Sequence, residues 1–165
     1  MSIIMTLKSW EEIEKISQDI KEKGKKIVFT NGCFDILHYG HVSYLEEAKN
    51  LADVLIVGLN SDESVKRLKG PSRPINGQSE RAYVLGALKS VDYVVIFDQD
   101  TPYELIKLIT PDILVKGGDW TPQQIVGSDI VLEHGGEVKS LIFKTGFSST
   151  KIIDKINEEK ENGGR

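Results

Sequence analysis

The sequence predicts an α/β domain of the doubly wound type, with a five-stranded parallel sheet covered by helices on both faces. Two observations support this prediction. Short apolar segments of strand length alternate with segments whose apolar residues recur at helical spacing along most of the chain. One short segment, residues 53–59, is apolar almost throughout, which is typical of a parallel strand buried on both faces. No internal repeat interrupts the alternation.

The bulk composition limits the function classes. The length of 165 residues matches one domain, and a net charge of -4 argues against a protein that coats nucleic acid. The single cysteine, Cys33, excludes an internal disulfide and a Cys-rich zinc site, and it fits a reducing cytoplasm. Residues 1–8 lack the apolar core of a signal peptide, and no apolar run approaches the roughly 20 residues of a membrane span. We therefore expect a cytoplasmic protein that binds neither nucleic acid nor membrane.

Residues 1–25 are expected to form a helix that packs on the domain from outside the repeating pattern. Ser9 and Glu12 have the spacing of a capping box, and the apolar residues that follow fall near one helical face. The main domain is predicted to span residues 26–157. Residues 158–165 are polar and contain two glycines, so we expect this tail to fray.

Strands and helices alternate in a regular order within the main domain. Continuous apolar stretches predict strands, and apolar residues three to four apart after a capping residue predict helices. The predicted strands cover residues 26–30, 53–59, 93–97, 113–116 and 137–143. The predicted helices cover residues 39–51, 78–90, 102–110 and 128–133, with a short one ending near residue 68 and a last one beginning near residue 150.

The loops that follow the strands hold most of the unusual residues. In doubly wound folds, ligands bind beyond the carboxyl ends of the strands. The loops at those ends cover residues 31–41, 60–76, 98–101, 117–121 and 144–150. The topology therefore predicts the position of the site before any motif is considered.

The sharpest signal in these loops is the pair His38 and His41, separated by Tyr39 and Gly40. If the helix begins at Tyr39, both imidazoles lie at its N-terminus, where unpaired N–H groups and the helix dipole favour an anion. Gly40 then leaves room for a ligand. The pattern favours a site for a phosphate that gains charge during a reaction.

Other interpretations of the same segment remain open. Two isolated histidines are often solvated surface residues. A zinc site would need further ligands, for which only Cys33, Asp35 and His134 are candidates. A Cys–His hydrolase would use Cys33 as the nucleophile and His38 as the base. A small residue that lets the backbone approach a phosphate explains Cys33 better, with Phe34 packed under the loop.

The long basic loop between the second and third predicted strands is a candidate lid over an anion. It holds Lys66, Arg67, Lys69 and Arg73 together with two prolines and two glycines. Charge runs of this kind are also common on solvated surfaces. Arg81 lies at a helix start, where a cation opposes the helix dipole, and this position indicates another role.

Two further segments are candidate walls of the site. Gly117 and Gly118 leave a strand end and permit close backbone approach, and Trp120 beyond Asp119 is suited to stacking on a sugar or base. A plain turn with the tryptophan in the core is the alternative. The hydroxyls of residues 148–150 lie at a second helix start, where N-capping alone explains only one of them.

Together these segments resemble the nucleotidyltransferase superfamily marked by His-x-Gly-His and a later Ser-Ser/Thr-Thr element. Within it, the chain is similar to the D-glycero-β-D-manno-heptose 1-phosphate adenylyltransferase family. The resemblance is carried, in order from about residue 27 to 153, by FTNGCFDILHYGHVSYLEEAK, VGLNSDESVKRLKGPSRPIN, ERAYVLGALKSVDYVVIFDQDTP, PDILVKGGDW and GGEVKS with GFSST. Cysteine at position 33 is typical of this branch. Phe147-Ser148-Ser149 is a mild variation of the usual aromatic-Ser-Thr motif.

The resemblance implies a Rossmann-like nucleotidyltransferase fold and the reaction of heptose 1-phosphate with ATP to give ADP-heptose and pyrophosphate. The product is a step towards heptose in lipopolysaccharide or surface-layer glycans. Mg²⁺ is implied as a cofactor held mainly by substrate phosphates, with no metal-binding residue assigned. Relatives resemble the second domain of bifunctional enzymes whose first domain is a sugar kinase, so a separate kinase is expected here, and a homodimer is possible.

The same resemblance assigns roles to individual residues. His38 and His41 are implied as the catalytic pair that stabilises charge at the α-phosphate. The implied nucleotide-binding residues are Asn31, Gly32, Cys33, Phe34, Asp35, His38, His41, Gly117, Gly118, Asp119, Trp120, Ser148, Ser149 and Thr150. The implied substrate-binding residues are Lys49, Lys69, Arg73 and Arg81.

Two rival functions are kept. A glycerol-3-phosphate cytidylyltransferase shares the short form and a Gly-Asp-Asp-Trp-like element, although Asn31 and the Lys69-Gly70-Pro71 segment favour the heptose branch. A nucleotide-binding module without catalysis would use the same fold. The intact histidine pair argues against that second rival.

Overall fold

The computed structural model describes residues 6–163 and confirms the α/β class. In these residues the strands form one parallel sheet in the order β1-β4-β3-β2-β5-β6. The strands are β1 (Leu7–Lys8), β2 (Ile27–Gly32), β3 (Val54–Asn60), β4 (Tyr93–Phe97), β5 (Ile113–Gly117) and β6 (Glu137–Leu141).

The helices alternate with the strands, as predicted. They are α1 (Trp10–Glu22), α2 (Tyr39–Lys49), α3 (Asp62–Lys69), α4 (Gln78–Gly86), α5 (Tyr103–Ile109), α6 (Ser128–Glu133) and α7 (Ser149–Asn162), with a 3-10 helix at Pro122–Gln124. None of the helices in residues 6–163 is long and apolar enough to cross a membrane.

The predicted strand number of five was wrong, because six strands are present in residues 6–163. The additional strand, β1, pairs with β4 at the sheet edge through Leu7 and Lys8. A strand of two residues is too short to show periodicity, so the sequence pattern missed it. Helix α1 therefore follows a strand of the sheet, while residues 1–5 of the predicted N-terminal segment lie outside the described part.

The chain continues as helix beyond the predicted domain end at residue 157. Helix α7 begins at the N-cap Ser148 and extends to Asn162, so residues 158–162 are helical where a frayed tail was expected. Glu and Lys are favourable helix formers, and they dominate this stretch. Residues 164 and 165 of the predicted tail lie outside the described range.

Helices cover both faces of the sheet and create two cores. Adjacent residues of β2 point to opposite faces, so Phe29 packs in the core that contains Ile13 and Leu105, while Val28 packs in the core that contains Leu45 and Leu85. The strand order reverses between β2 and β5, because the chain builds β3 and β4 on one side and β5 and β6 on the other. This reversal is the switch point where doubly wound folds bind ligands.

Candidate active site

Helix α2 begins next to the switch point with an N-terminus that no side chain caps. His38 is the N-cap residue, with extended backbone, and its side chain makes no capping hydrogen bond. Its carbonyl oxygen accepts hydrogen bonds from the amides of His41 and Val42 at 3.0 and 3.2 Å. The histidine pair thus lies at the helix start that the sequence predicted, where the dipole favours an anion.

The two histidine rings stack on one another. The ring centroids of His38 and His41 are 3.8 Å apart with 24° between the planes, and Phe34 contacts His41 edge-on at 5.3 Å. The Nδ1 atoms of both histidines are buried and have no hydrogen-bond partner among residues 6–163. A buried polar atom without a partner costs about 1–3 kcal/mol, so both atoms are positioned for a partner that a ligand would provide.

Gly40 makes this stacking possible. A Cβ atom at this position would lie 3.0 Å from the His38 ring and 3.1 Å from the Cβ of Phe147. From the sequence, the absence of a side chain at Gly40 was interpreted as leaving room for a ligand. In the structure the space is instead taken by His38 and Phe147, so the glycine serves the approach of the protein's own side chains.

Burial keeps both imidazoles neutral in this state. Desolvation lowers the pKa of His41 to about 4, with further lowering by His38 and Lys69. Burial also lowers the pKa of His38. Near pH 7 both rings therefore carry one N–H donor each and no charge.

A cleft of about 400 Å³ opens beside His41 at the carboxyl ends of the strands, while His38 is not part of its wall and stacks behind His41. Residues predicted to bind nucleotide or substrate form much of its wall, namely Asn31, Gly32, Cys33, Phe34, Asp35, His41, Lys69, Arg73, Gly117 and Ser149. Further wall residues were not singled out from the sequence, namely Tyr44, Asn60, Leu68, Asp100, Thr101, Pro102, Leu114, Val115, Lys116, Ile125, Val126 and Phe143.

Several of these additional residues carried a usable signal. Asn60, Asp100 and Thr101 fall in the loops that the topology had placed at the carboxyl edge. Tyr44 lies one residue before the core position Leu45 in α2, and its hydroxyl shares a 2.6 Å hydrogen bond with Thr30 in β2. Only the packing of α2 on β2 reveals that Tyr44 forms part of the cleft floor.

Asp35 anchors the basic loop. Its carboxylate accepts hydrogen bonds from the amides of Ile75 and Asn76 and from Nε of Arg73, all at 2.8–3.0 Å. Burial raises the pKa of Asp35, but the hydrogen bonds from Asn76, Ile75 and Arg73 outweigh it and hold the pKa below its usual value. The side chain is 1% exposed, so the carboxylate positions the loop, and Asp35 as a residue belongs to the wall of the cleft.

Two cations of the basic loop keep donors available at the cleft. The Nη2 atom of Arg73 is buried without a hydrogen-bond partner among residues 6–163, although its Nε is held by Asp35. Lys69 lines the cleft, and its side chain makes no hydrogen bond or ion pair within the same described range. These positions fit the predicted contacts with an anionic substrate.

Arg81 has a structural role in place of the predicted substrate contact. Its guanidinium donates to the carbonyl oxygens of Cys33, Asn60 and Asn76 at 2.8–3.0 Å and to the Asp62 carboxylate at 2.8 Å. The side chain is 0% exposed. Because these acceptors belong to the two loops that follow β2 and β3, Arg81 ties these loops together and has no exposed face for a ligand.

Lys49 lies at the opposite edge of the sheet, so its predicted substrate contact was wrong. Its Nζ donates to the Asp53 carbonyl and to the Asp92 carboxylate, both at 2.5 Å. Asp53 and Asp92 immediately precede β3 and β4, which places the lysine at the amino ends of the strands. A helix that runs back along a parallel sheet necessarily brings its C-terminus to that edge.

The segment after β5 contributes its first glycine to the cleft. Gly117 lines the wall, but Gly118, Asp119 and Trp120 do not. The indole Nε1 of Trp120 donates to the Gly117 carbonyl at 3.0 Å, and the Lys116 Nζ lies 5.2 Å from the ring centroid. The predicted stacking of Trp120 on a ligand would require this half-exposed ring to leave its contacts.

The start of α7 faces the start of α2. Ser148 caps α7 by accepting from the Lys151 amide at 3.0 Å, and Ser149 Oγ donates to the carbonyl of Ile36 at 2.9 Å. Thr150 lies in a neighbouring groove that also contains Lys69. Of the three predicted hydroxyl residues, Ser149 is thus the one on the cleft wall.

The competing metal and thiol interpretations find little support in these positions. Among residues 6–163 no cluster of three or more His, Cys, Asp or Glu side chains is arranged to hold a metal ion. His134 lies at the end of α6 with its Nδ1 2.8 Å from the Ile130 carbonyl, and it is not part of the cleft wall. Loop amides occupy the Asp35 carboxylate. Burial raises the pKa of the Cys33 thiol, which disfavours the thiolate that a nucleophile requires.

Comparison with known proteins identifies the family. The sequence profile of the cytidylyltransferase-like family matches residues 29–155. The chain belongs to this family. This match confirms that the sequence motifs were correctly interpreted as those of a nucleotidyltransferase. The protein is a nucleotidyltransferase enzyme.

Curated relatives of this cytidylyltransferase-like chain are long proteins. It is 61% identical over 150 residues to the bifunctional protein HldE of Nitratiruptor sp. and 59% identical over 155 residues to that of Aliarcobacter butzleri. These matches cover 91% and 94% of this chain but 32% of each relative. The chain thus spans about a third of the length of these relatives.

Two solved structures resemble the fold. The lipopolysaccharide core biosynthesis protein of Thermoplasma volcanium is 30% identical, with a TM-score of 0.58, and the match covers 73% of this chain and 98% of that one. The pantoate-beta-alanine ligase of Francisella tularensis is 17% identical, with a TM-score of 0.61 over 93% of this chain and 78% of the other. The second likeness concerns the fold alone.

Proposed function

We propose that this chain transfers the adenylyl group of ATP to D-glycero-β-D-manno-heptose 1-phosphate and releases ADP-heptose and pyrophosphate. The observation that carries the proposal is the stacked pair His38 and His41, with two unpartnered buried Nδ1 atoms at a helix start beside the switch-point cleft. The names of the relatives support the sugar assignment, because HldE proteins and a lipopolysaccharide core biosynthesis protein align with this chain.

The proposed reaction is a direct displacement at phosphorus. An oxygen of the sugar phosphate attacks the α-phosphorus of ATP, and the bond from that phosphorus to the oxygen bridging the β-phosphate breaks, with the electron pair leaving on pyrophosphate. No bond to the protein forms. Neutral N–H donors from His38 and His41 would hydrogen-bond the oxygens on which charge develops, and the α2 dipole would act in the same direction.

Cationic residues across the cleft would offset the repulsion between two polyanionic substrates. Lys69 and the Nη2 atom of Arg73 are suited to this role because no protein acceptor occupies them in the described residues. Arg73 is also oriented, since its Nε is fixed by Asp35. A planar guanidinium held in this manner matches a phosphate through two parallel hydrogen bonds.

Mg²⁺ would enter as part of the nucleotide substrate. The cleft offers no ready ligand set, because loop amides occupy the Asp35 carboxylate and Arg67 Nε donates to Asp100 at 2.8 Å. A Mg²⁺ ion commonly keeps its waters and binds through substrate phosphates. The metal would therefore neutralise the triphosphate, while the protein's side chains hold and orient it.

A separate sugar kinase would supply the sugar 1-phosphate in this proposal. The curated relatives are named bifunctional and are about three times the length covered by the match, which supports a second activity in those proteins. Such a kinase and this transferase would work in the cytoplasm, where ATP is available. A homodimer remains part of the proposal.

A second candidate is cytidylyl transfer to glycerol 3-phosphate. The description of the family as cytidylyltransferase-like favours it. It differs from the first candidate in both nucleotide and acceptor. The same cleft geometry would serve either reaction.

Pyrophosphate release across a matrix of nucleotides and acceptors tests the proposal. ATP and CTP are each combined with the β and α anomers of heptose 1-phosphate and with glycerol 3-phosphate, at fixed Mg²⁺. We expect the highest kcat/KM for ATP with the β anomer. Faster turnover of CTP with glycerol 3-phosphate would replace the first candidate by the second, and no release from any pair would contradict both.

A further inference from the structure

The loop between β6 and α7, residues 142–148, crosses from the β6 edge of the sheet towards α2. It carries two aromatic side chains with different surroundings. Phe147 packs against Tyr39 with ring centroids 5.2 Å apart. Phe143 contacts Tyr44 at 5.1 Å and belongs to the wall of the cleft.

The Phe143 ring lies directly on the backbone of Gly117. A Cβ atom at Gly117 would overlap the carbon atoms at the tip of this ring. Gly117 is absent from the positive-φ glycines of residues 6–163, so its backbone conformation does not require glycine. The close approach of the ring is the feature of this structure that requires it.

This contact occupies the switch point. Gly117 is the last residue of β5, Tyr44 belongs to α2 above β2, and the strand order reverses between β2 and β5. A flat aromatic ring that contacts Gly117 and Tyr44 thus lies where doubly wound folds receive a ligand, on the wall of the cleft. The phosphate-binding side chains lie elsewhere on the wall, at His41, Lys69 and Arg73.

We propose that Phe143 occupies the place of the nucleoside in the free enzyme and that nucleotide binding displaces its ring. This inference rests on the proposed binding of a nucleotide in the cleft. A planar ring between a bare glycine backbone and a tyrosine has the shape and the stacking surface that suit a base. The ring acts as an intramolecular competitor that leaves as the base enters.

The ring is held weakly enough to leave. Phe143 is 42% exposed, and its neighbour Ile142 is 80% exposed, so the loop has little buried apolar surface to lose on moving. The apparent dissociation constant of a ligand rises as the binding-competent fraction of the protein falls. Removal of the ring should therefore tighten nucleotide binding, which is opposite to the effect expected of a stacking platform.

The test is calorimetric titration with α,β-methylene-ATP, which binds without turnover. The proteins compared are wild type, Phe143→Ala, Phe143→Leu and the control Ile142→Ala, which removes an exposed apolar side chain from the same loop. We expect Phe143→Ala to lower the Kd by about three- to tenfold, Phe143→Leu to lower it less, and Ile142→Ala to leave it unchanged. Thermal melting of each variant verifies folding, and the leucine variant carries the test if alanine disturbs it.

The possible failures are distinguishable. Equal or weaker binding by both Phe143 variants, with a wild type that binds the analogue, overturns this inference and leaves the proposed function intact. Tighter binding by the Ile142 variant as well would assign the effect to the loop as a whole and would also overturn it. A wild type that binds neither the ATP analogue nor its CTP counterpart overturns the proposed function and this inference together.

Discussion

Charged side chains at the two edges of the sheet differ in whether they are paired with protein acceptors. At the amino edge, Lys49 is paired with the Asp92 carboxylate and the Asp53 carbonyl. At the carboxyl edge, Lys69 has no side-chain partner in the described residues. The Nη2 atom of Arg73 and the Nδ1 atoms of His38 and His41 also lack a hydrogen-bond partner there. Lys49 is thus held by protein acceptors, while these four groups at the other edge have no protein partner within the described residues.

The carboxyl edge itself divides into a support and a working surface. Asp35 and Arg81 are buried and saturated with hydrogen bonds from or to the loops around the cleft. Asp35 and Arg81 hold those loops in place. The unpaired groups of Lys69, Arg73 and the histidines therefore stay accessible, because the loops do not close over them. A cation at the carboxyl edge is therefore a candidate for ligand binding only if protein acceptors leave its donors unoccupied.

Loss of the Arg81 guanidinium should give the largest effect. Arg81→Met leaves three carbonyl oxygens and the Asp62 carboxylate without their donor, and breaking a buried charge pair costs about 3–5 kcal/mol of the free energy of unfolding. The measurement is urea denaturation. The matched control is Arg67→Met, whose solvent-exposed pair with Asp100 should contribute little to stability. Equal losses at the two sites would contradict the supporting role of Arg81.

Removal of one histidine should be next in size. His41→Ala takes away one donor to the charge that develops at the α-phosphate, and loss of such a donor typically lowers kcat by about 10²-fold or more. Nucleotide binding in the absence of the acceptor should change much less. Single-turnover kinetics and equilibrium titration separate the two quantities. A kcat that stays within twofold of wild type would remove the pair from the mechanism.

The two lysines provide a direct test of the difference between the edges. Lys69→Ala should raise the KM of a phosphate substrate about tenfold, because a charge-assisted hydrogen bond is worth about 1.5–3 kcal/mol. Lys49→Ala should leave every KM unchanged and lower the free energy of unfolding by about 0.5–1 kcal/mol, since its ion pair is partly exposed. Steady-state kinetics and urea midpoints are measured for both variants. A raised KM in the Lys49 variant would contradict the conclusion that the amino edge takes no part in substrate binding.

The pH dependence of stability tests the burial of the histidine at the carboxyl edge. His41 has a pKa of about 4 in the folded protein, lowered by burial from 6.5. Between these values the unfolded chain binds more protons, so stability is fully present above pH 6.5 and is lost as the pH falls towards 4. Urea midpoints from pH 7 to 4.5 should decline, and the decline should be shallower in His41→Asn. An unchanged slope in the variant would show that the imidazole stays solvated.

The remaining carboxylate of the site acts in a lower pH window. The pKa of Asp35 is below its usual 3.8, because its hydrogen bonds outweigh burial. Its contribution to stability is present above that value and is lost as the pH falls below it. Its titration therefore lies below the range used for His41 and does not distort that test.

Much of the fold could be predicted from the sequence, and the exceptions have physical reasons. The α/β class and the alternation of elements follow from apolar periodicity, which can be recognised from residues close together in the chain. Strand β1 was missed because two residues show no period. The end of α7 was placed too early, since helix-forming charged residues without an apolar face resemble a solvated tail.

The site residues divide in a similar way. The motif around His38 and His41 and the switch-point topology indicated the correct edge of the sheet, because the carboxyl ends of parallel strands meet there. Lys49 could have been excluded from the sequence by counting, since the 11 residues of α2 rise about 16 Å from its start to the opposite edge. Phe143 could not be found in advance, because its contact with Gly117 depends on how a loop folds across two strands.

The fold class, the position of the cleft and the histidine pair at a helix start follow from the amino-acid sequence. These features depend on local periodicity and on residues close together in the chain. Which charged groups are unpaired depends on the tertiary structure, because the acceptors that satisfy a donor lie far away in sequence. Arg81 and Arg73 both lie near the cleft, yet one meets four acceptors and the other keeps Nη2 unoccupied within residues 6–163.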